Sequence, residues 1–148
     1  MKVKYINMSE VFFNEILIIN LIQSLIAIFI SIALIQSGID KINDRKGNLD
    51  WLIDHFSNTI FNNYVPFLLS ILTVVELLSG IILISGALFN LLYSNFNILI
   101  IGFLLSSVNF IFLFLGQRIA KDYAGAAVIV NYFILNILGL ISILYSFI

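Results

Sequence analysis

The stretch FLLSILTVVELLSGIILISGALF, residues 67–89, contains a single charged side chain, Glu76. A helix needs about 20 predominantly apolar residues to cross a hydrocarbon core of about 30 Å, so this stretch is long enough to span a bilayer. Three further runs of similar length carry no charged residue, and they cover residues 16–37, 98–115 and 126–148. The four runs predict an all-α fold, a four-helix transmembrane bundle.

The composition supports a single integral membrane domain over residues 1–148, because 61% of the chain is hydrophobic and only 10% is charged. A net charge of −1 with scattered basic residues provides no electrostatic footprint for nucleic acid. Cysteine is absent, which excludes disulfides, thiolate metal sites and iron–sulfur clusters within this chain. The only histidine, His55, cannot supply both axial ligands of a bis-histidine haem. We therefore predict neither metal nor haem, and any redox role needs a redox group from elsewhere.

Polar residues concentrate between the first two apolar runs, in residues 38–56. Apolar side chains recur there at helical spacing, at Leu49, Leu52, Ile53, Phe56 and Ile60. This spacing predicts a short amphipathic helix on the membrane interface near residues 49–62, with Asn48 as its N-cap. Residues 39–66 and 116–125 are expected on one side of the membrane, called the loop face below.

Two single residues in this segment have both ordinary and functional interpretations. Trp51 fits an interfacial anchor, since indole rings favour the membrane–water boundary in any protein. His55 can exchange protons near neutral pH, but a lone histidine among polar neighbours is more often a solvated surface residue.

Glu76 is the most informative residue because of its depth. It lies nine residues after Phe67, about 14 Å into the membrane at 1.5 Å per residue and therefore near the midplane. An acidic side chain is costly there, so we expect it to face other helices and to be protonated or paired with a cation or hydrogen-bond donor. Glu76 is our candidate catalytic residue for proton handling, and the alternative is a purely structural contact between helices.

Other polar residues share that depth or lie closer to the loop face. Ser106 and Asn136 are at about the depth of Glu76, and Asn109 and Asn131 are nearer the loop face. Together they indicate a polar pocket beneath the charged segment. The candidate ligand-binding residues are Lys41, Ser106, Asn109, Arg118, Asn131 and Asn136. Serine and asparagine also serve as ordinary interhelical hydrogen-bonding groups, and that alternative stays open for each of them.

Lys41 is expected at the mouth of the pocket. A helix that began at Ile16 would place Lys41 about 38 Å along its axis, beyond a core of about 30 Å. We therefore expect Lys41 to influence Glu76 either directly or through water or a ligand, and we prefer the bridged arrangement. The alternative is that Lys41 only extends into the lipid headgroups.

Several short motifs occur in a fixed order along the chain: SGIDKI at residues 37–42 with a G-x-x-K arrangement, YVP at residues 64–66, and E-x-x-x-G from Glu76 to Gly80. This order within a four-span chain resembles the DoxX family of small bacterial membrane proteins. The resemblance covers about residues 16–147.

The resemblance implies a four-helix membrane domain in the bacterial cytoplasmic (inner) membrane. Some DoxX relatives are subunits of quinone-linked thiosulfate oxidation, and others are associated with oxidative-stress complexes. It therefore implies a quinone as cofactor, and as partners other membrane subunits or further copies of the chain. A noncatalytic accessory or assembly subunit is the alternative function, and transport of a small solute by an oligomer is a third.

Overall fold

Five α-helices make up most of the part of the chain that the structure describes. The computed structural model describes the backbone of residues 8–147 and the side chains of residues 15–147. The helices are α1 (Met8–Asn43), α2 (Arg45–His55), α3 (Val65–Tyr93), α4 (Asn97–Ile119) and α5 (Tyr123–Leu144), with short 3₁₀ helices at Asn62–Tyr64 and Tyr145–Phe147. No strand occurs in residues 8–147. The predicted all-α class is confirmed.

The four long helices form a bundle in which α1 packs on α3, α3 on α4, α4 on α5, and α5 back on α1. The segments long and apolar enough to cross a membrane are Glu15–Asn43, Asn62–Tyr93, Asn97–Ile119 and Tyr123–Phe147. Neighbouring helices run in opposite directions, as contacts between α1 and α3 illustrate: Ser24 donates to the carbonyl of Ala87, and Ser31 donates to that of Gly80. The chain is a multi-pass four-helix membrane bundle.

The distribution of apolar and polar side chains is the one expected for a bundle surrounded by lipid. Leu92 is 71% exposed, whereas its near neighbour Asn90 is completely buried. Large apolar side chains cover the outside of all four long helices, while eleven polar or charged side chains among residues 15–147 are buried inside the bundle. Hydrocarbon solvates leucine and phenylalanine well but offers polar groups no hydrogen bonds, so the polar groups find partners between the helices.

Two glycines bring helices into close contact. A methyl group at Gly86 would lie 2.7 Å from the backbone of Leu99, so α3 and α4 touch at that point. A methyl group at Gly80 would lie 2.5 Å from Ile35 and 3.2 Å from the carbonyl oxygen of Ser31, so α1 and α3 touch there. Small residues allow this approach of backbones in membrane bundles.

The interfacial helix is present, but it lies earlier in the chain than predicted. It covers Arg45–His55 rather than residues near 49–62. Asp44 is the N-cap, with its side chain accepting from the backbone N–H of Gly47, so Asn48 does not cap this helix. Asn48 instead donates its side-chain amide to the carbonyls of Asp40 and Asp44, at the end of α1.

The spans are longer than the apolar runs that predict them. The first predicted span, residues 16–37, continues as helix to Asn43, and the second, residues 67–89, extends over Val65–Tyr93. Two polar residues of these extensions have partners inside the bundle: Lys41 contacts Glu76, and Asn90 donates to the Gln23 side chain. In the fourth predicted span, residues 126–148, residue 148 lies outside the described residues.

Candidate functional site

Lys41 and Glu76 form an ion pair between α1 and α3. The Lys41 Nζ atom lies 2.9 Å from Glu76 Oε2 and 3.2 Å from Oε1. Oε1 accepts hydrogen bonds from Lys41 and from the Ser37 hydroxyl, whereas Oε2 has no contact with hydrogen-bond geometry and is held by charge. Glu76 is 1% exposed and Lys41 is 14% exposed. The carboxylate therefore faces the bundle interior and is paired with a cation, one of the arrangements predicted for it.

Of the two expected arrangements, the structure has the direct contact and not the preferred bridge through water or a ligand. Gly38 packs against Thr73 and Leu77, which brings this part of α1 close to α3. Lys41 lies one turn beyond Ser37, and its side chain points back along the helix to donate to the Ser37 hydroxyl at 2.6 Å. The long side chain thus reaches the depth of Glu76 although its own backbone lies nearer the interface.

Ser106 and Asn136 are buried but have other partners. Ser106 donates to the carbonyl of Gly102 in its own helix. Asn136 on α5 donates to the Phe103 carbonyl at 2.9 Å and to the Ser107 hydroxyl at 2.7 Å, both on α4. Within residues 15–147 neither is hydrogen-bonded to Glu76, so the expected single polar pocket is divided into separate contacts between helices.

Two further candidate residues lie on the surface. Arg118 is exposed near the end of α4, with its guanidinium 4.7 Å from the ring centre of Tyr123. Asn131 is exposed on α5. Neither lines the cavity described next.

A cavity of about 330 Å³ lies beneath α2, between α3 and α4. Its walls are mostly apolar, and three polar side chains, His55, Asn109 and Gln117, reach it. The lining residues are Leu52, His55, Phe56, Phe61, Val65, Leu68, Leu69, Ile71, Leu72, Val75, Asn109, Phe112, Leu113, Leu115, Gly116 and Gln117. Of the candidate site residues, only Asn109 lines this mostly apolar cavity. It is therefore not the polar pocket predicted around Glu76.

Asn109 is the deeply buried polar group of the cavity. Its side chain is 1% exposed, and neither its Oδ1 nor its Nδ2 has a hydrogen-bond partner among the described side chains and backbone. Leaving such a group unsatisfied costs about 1–3 kcal/mol. Asn90 and Asn136 differ, because each donates its amide to neighbouring oxygens and leaves only Oδ1 unpaired. Asn109 thus carries a buried amide in the cavity wall that has no hydrogen-bond partner among the described residues.

His55 and Gln117 form the second polar point of the cavity. The His55 Nε2 atom lies 3.1 Å from Gln117 Oε1. The imidazole stacks on Trp51 with ring centres 4.6 Å apart and contacts the edge of Phe56 at 5.1 Å. His55 is half-buried, so it is not the solvated surface residue that its neighbours in the sequence suggest. Trp51 is exposed, as an interfacial anchor should be.

Sequence analysis did not single out Gln117 or Phe61 as site residues. One signal was available for α4: Asn109, Phe112, Leu113 and Gly116 follow i, i+3, i+4, i+7 spacing and share one helix face. That face leads from the buried amide to the end of the helix, where Gln117 lies. Phe61 belongs to the segment after α2, and only the packing of that segment brings it to the cavity.

The cavity opens sideways, toward the lipid. Four of its apolar lining residues are also exposed on the outside of the bundle, namely Leu68, Ile71, Phe112 and Leu115. They belong to α3 and α4, so the opening lies between these helices. A lipophilic molecule could enter from the bilayer without crossing the polar loops.

A separate polar network lies at the opposite end of the bundle. Asn90 on α3 donates its amide to the Gln23 side chain at 3.0 Å and to the Asn20 carbonyl at 3.1 Å, both on α1. Gln23 donates in turn to the Ser142 carbonyl and the Ser146 hydroxyl at the end of the chain. The network ties three segments of the chain together.

Comparison with known proteins identifies no relative: the chain matches no protein-family model and no curated protein, and its fold matches no solved structure. The resemblance to DoxX proteins therefore rests on the motifs quoted above.

Proposed function

We propose that this chain is a DoxX-like subunit of a redox complex in the bacterial inner membrane and that it binds a quinone in the cavity beneath α2. The observation that carries the proposal is the unpartnered amide of Asn109 in a largely apolar cavity of about 330 Å³. Small-molecule sites of about 300–1,000 Å³ commonly combine apolar walls with a few polar groups that orient the ligand.

An amide suits a carrier that changes between two redox forms. The Nδ2–H of Asn109 can donate to a quinone carbonyl, and its Oδ1 can accept from the hydroxyl of the reduced quinol. The same side chain can therefore hold both forms. The lateral opening between α3 and α4 provides a route for the apolar tail, which is most stable in the hydrocarbon region.

Reduction of a quinone to a quinol takes two electrons and two protons. The chain has no cysteine, and the part of it that the structure describes has no cluster of three or more His, Cys, Asp or Glu side chains. In this proposal the electrons are exchanged with a redox group of a partner subunit. Proton handling by Glu76 stays a prediction, because its carboxylate is paired with Lys41 and turned away from the cavity.

The test is quinone content after purification in mild detergent, with extracted lipids analysed by mass spectrometry. We expect a quinone in stoichiometric amount with the unmodified chain and its loss from Asn109→Leu, which removes the amide but keeps a similar volume. Gln36→Leu is the matched control, because it removes an amide from an exposed position on α1. Absence of quinone from freshly purified protein, together with no binding of added quinone, would contradict the proposal.

The accessory-subunit function is favoured by a different observation. The ionisable pair of Lys41 and Glu76 and the amide network around Asn90 both act as ties between helices in this structure. A chain whose polar groups serve mainly to hold the bundle together could act as a docking subunit for a larger complex. Stable copurification with partners whose turnover is unchanged in Asn109→Leu would support this function over quinone binding.

A further inference from the structure

We infer that the cavity recognises both ring oxygens of a 1,4-quinone, the inner one through Asn109 and the outer one through the pair of His55 and Gln117. This inference rests on the proposed function and adds the class of quinone and its orientation. The ring lies between the two polar points, and the tail leaves between α3 and α4.

The spacing of the two polar points supports this arrangement. Asn109 and Gln117 are eight residues apart on α4, which corresponds to a rise of about 12 Å. The two oxygens of a 1,4-quinone are about 5 Å apart, as follows from two C=O bonds of about 1.2 Å at opposite corners of a six-membered ring. Two hydrogen bonds of about 2.9 Å extend this span to about 11 Å. The rise of α4 between the two residues and the span of a hydrogen-bonded 1,4-quinone are therefore of similar length.

The side chains of the outer point are restrained by contacts within the protein. The His55 ring is restrained by stacking on Trp51 and by the edge contact with Phe56. The contact between His55 Nε2 and Gln117 Oε1 links α2 to the end of α4. In this contact the His55 Nε2–H donates to Gln117 Oε1, so the Gln117 Nε2–H₂ group is the donor left for an oxygen beside the pair. Restraint of these groups before binding lowers the entropy cost of holding the ligand.

The charge of the lining favours a neutral ligand. None of the residues that line the cavity is Asp, Glu, Lys or Arg. A fatty acid or a phospholipid headgroup would bring a negative charge into these apolar walls without a cationic partner, which is costly. A neutral ring with two carbonyl oxygens needs only the Asn109 amide and one N–H donor at the pair of His55 and Gln117. A neutral molecule with one polar end would leave one of the two polar points without a contact.

Binding of two matched ligands tests the inference. One is a short-tailed 1,4-naphthoquinone, and the other is a monoketone of the same bicyclic ring that lacks one carbonyl. Affinities are measured by titration calorimetry in detergent and independently by the fluorescence of Trp51, which is the only tryptophan of the chain and stacks on His55. We expect the quinone to bind about tenfold more tightly, which corresponds to one additional hydrogen bond in a buried site.

Variants of His55 and Gln117 test whether the difference in affinity between the two ligands arises at the outer point. In the double variant His55→Phe with Gln117→Leu, which keeps an aromatic ring for Trp51, the two ligands should bind with equal affinity. His55→Gln alone keeps an N–H donor and should retain most of the tenfold preference. Gln36→Leu should leave both affinities unchanged.

The outcomes separate the two proposals. Equal binding of both ligands to the unmodified chain, or a preference that survives in the double variant, would overturn the two-point arrangement while leaving quinone binding intact. Failure of both ligands to bind would remove the proposed function together with this inference. If the double variant does not fold, the comparison of ligands on the unmodified chain and on His55→Gln still decides the question.

Discussion

Lys41 Nζ lies 2.9 Å from Glu76 Oε2, so a cation at the loop-face end of α1 is tied directly to a buried carboxylate in the interior of α3. The Ser37 hydroxyl contacts both partners, donating to Glu76 and accepting from Lys41. Such a pair adds little stability compared with well-packed apolar residues, but removal of one partner leaves a buried charge without compensation. The pair therefore makes α1 and α3 depend on each other at this point.

The first prediction is that single and double replacement of this pair have very different effects. Lys41→Met should lower the free energy of unfolding by about 3 kcal/mol, the lower end of the range for breaking a buried pair, because Lys41 keeps some exposure. Lys41→Met combined with Glu76→Leu should come within about 1 kcal/mol of the unmodified chain. Denaturant titration in detergent micelles measures the free energy of unfolding of the unmodified chain, of Lys41→Met and of the double variant. A double variant that is no more stable than Lys41→Met would show that the pair is not a coupled unit.

The second prediction is that replacement of Asn109 raises the stability of the chain and abolishes quinone binding. Asn109→Leu should raise the free energy of unfolding by about 1–2 kcal/mol, because it removes a buried amide that has no partner within residues 15–147. The same variant should lose the bound quinone. A residue that costs stability in the absence of ligand but is needed for binding is typical of a functional site. If the variant is less stable than the unmodified chain, Asn109 has a structural role instead.

The third prediction compares two glycines of the bundle. Gly86→Ala should destabilise by about 1–3 kcal/mol, because the new methyl group would meet the backbone of Leu99 at 2.7 Å and force α3 and α4 apart. Gly116→Ala is the matched control, since its methyl group would meet only Phe56, at 3.6 Å. This control should be neutral or more stable by up to about 1 kcal/mol from helix propensity. Thermal unfolding of both variants measures the difference, and equal effects would argue against the close helix contact.

The fourth prediction concerns the arrangement in the membrane. Single cysteines at Lys46, Asn95 and Tyr123 can be placed in a chain that has no cysteine of its own, and all three positions are exposed. In intact membrane vesicles, an impermeant thiol reagent should label Lys46→Cys and Tyr123→Cys from the same side and Asn95→Cys from the other, because four spans alternate in direction. Labelling of Asn95→Cys together with Tyr123→Cys would contradict four spans.

Much of the architecture follows from the sequence alone. Four apolar runs long enough to cross a bilayer determine the number of spans, because a backbone in hydrocarbon has to satisfy its own hydrogen bonds as helix. The depth of Glu76 along its run requires that this carboxylate face the bundle interior and find a partner, since lipid offers none. These conclusions depend on local periodicity and on solvation, and both are properties of a single stretch of chain.

Only the tertiary structure decided which polar groups meet. Lys41 contacts Glu76 because Gly38 lets α1 pack closely on α3, and His55 reaches Gln117 because α2 folds over the ends of α3 and α4. Helical spacing assigns a depth and a face to each residue, but it does not determine which neighbouring helix that face meets. Helix packing determines these contacts. Glu76 faces α1, and Asn109 lies beside the cavity without a hydrogen-bond partner.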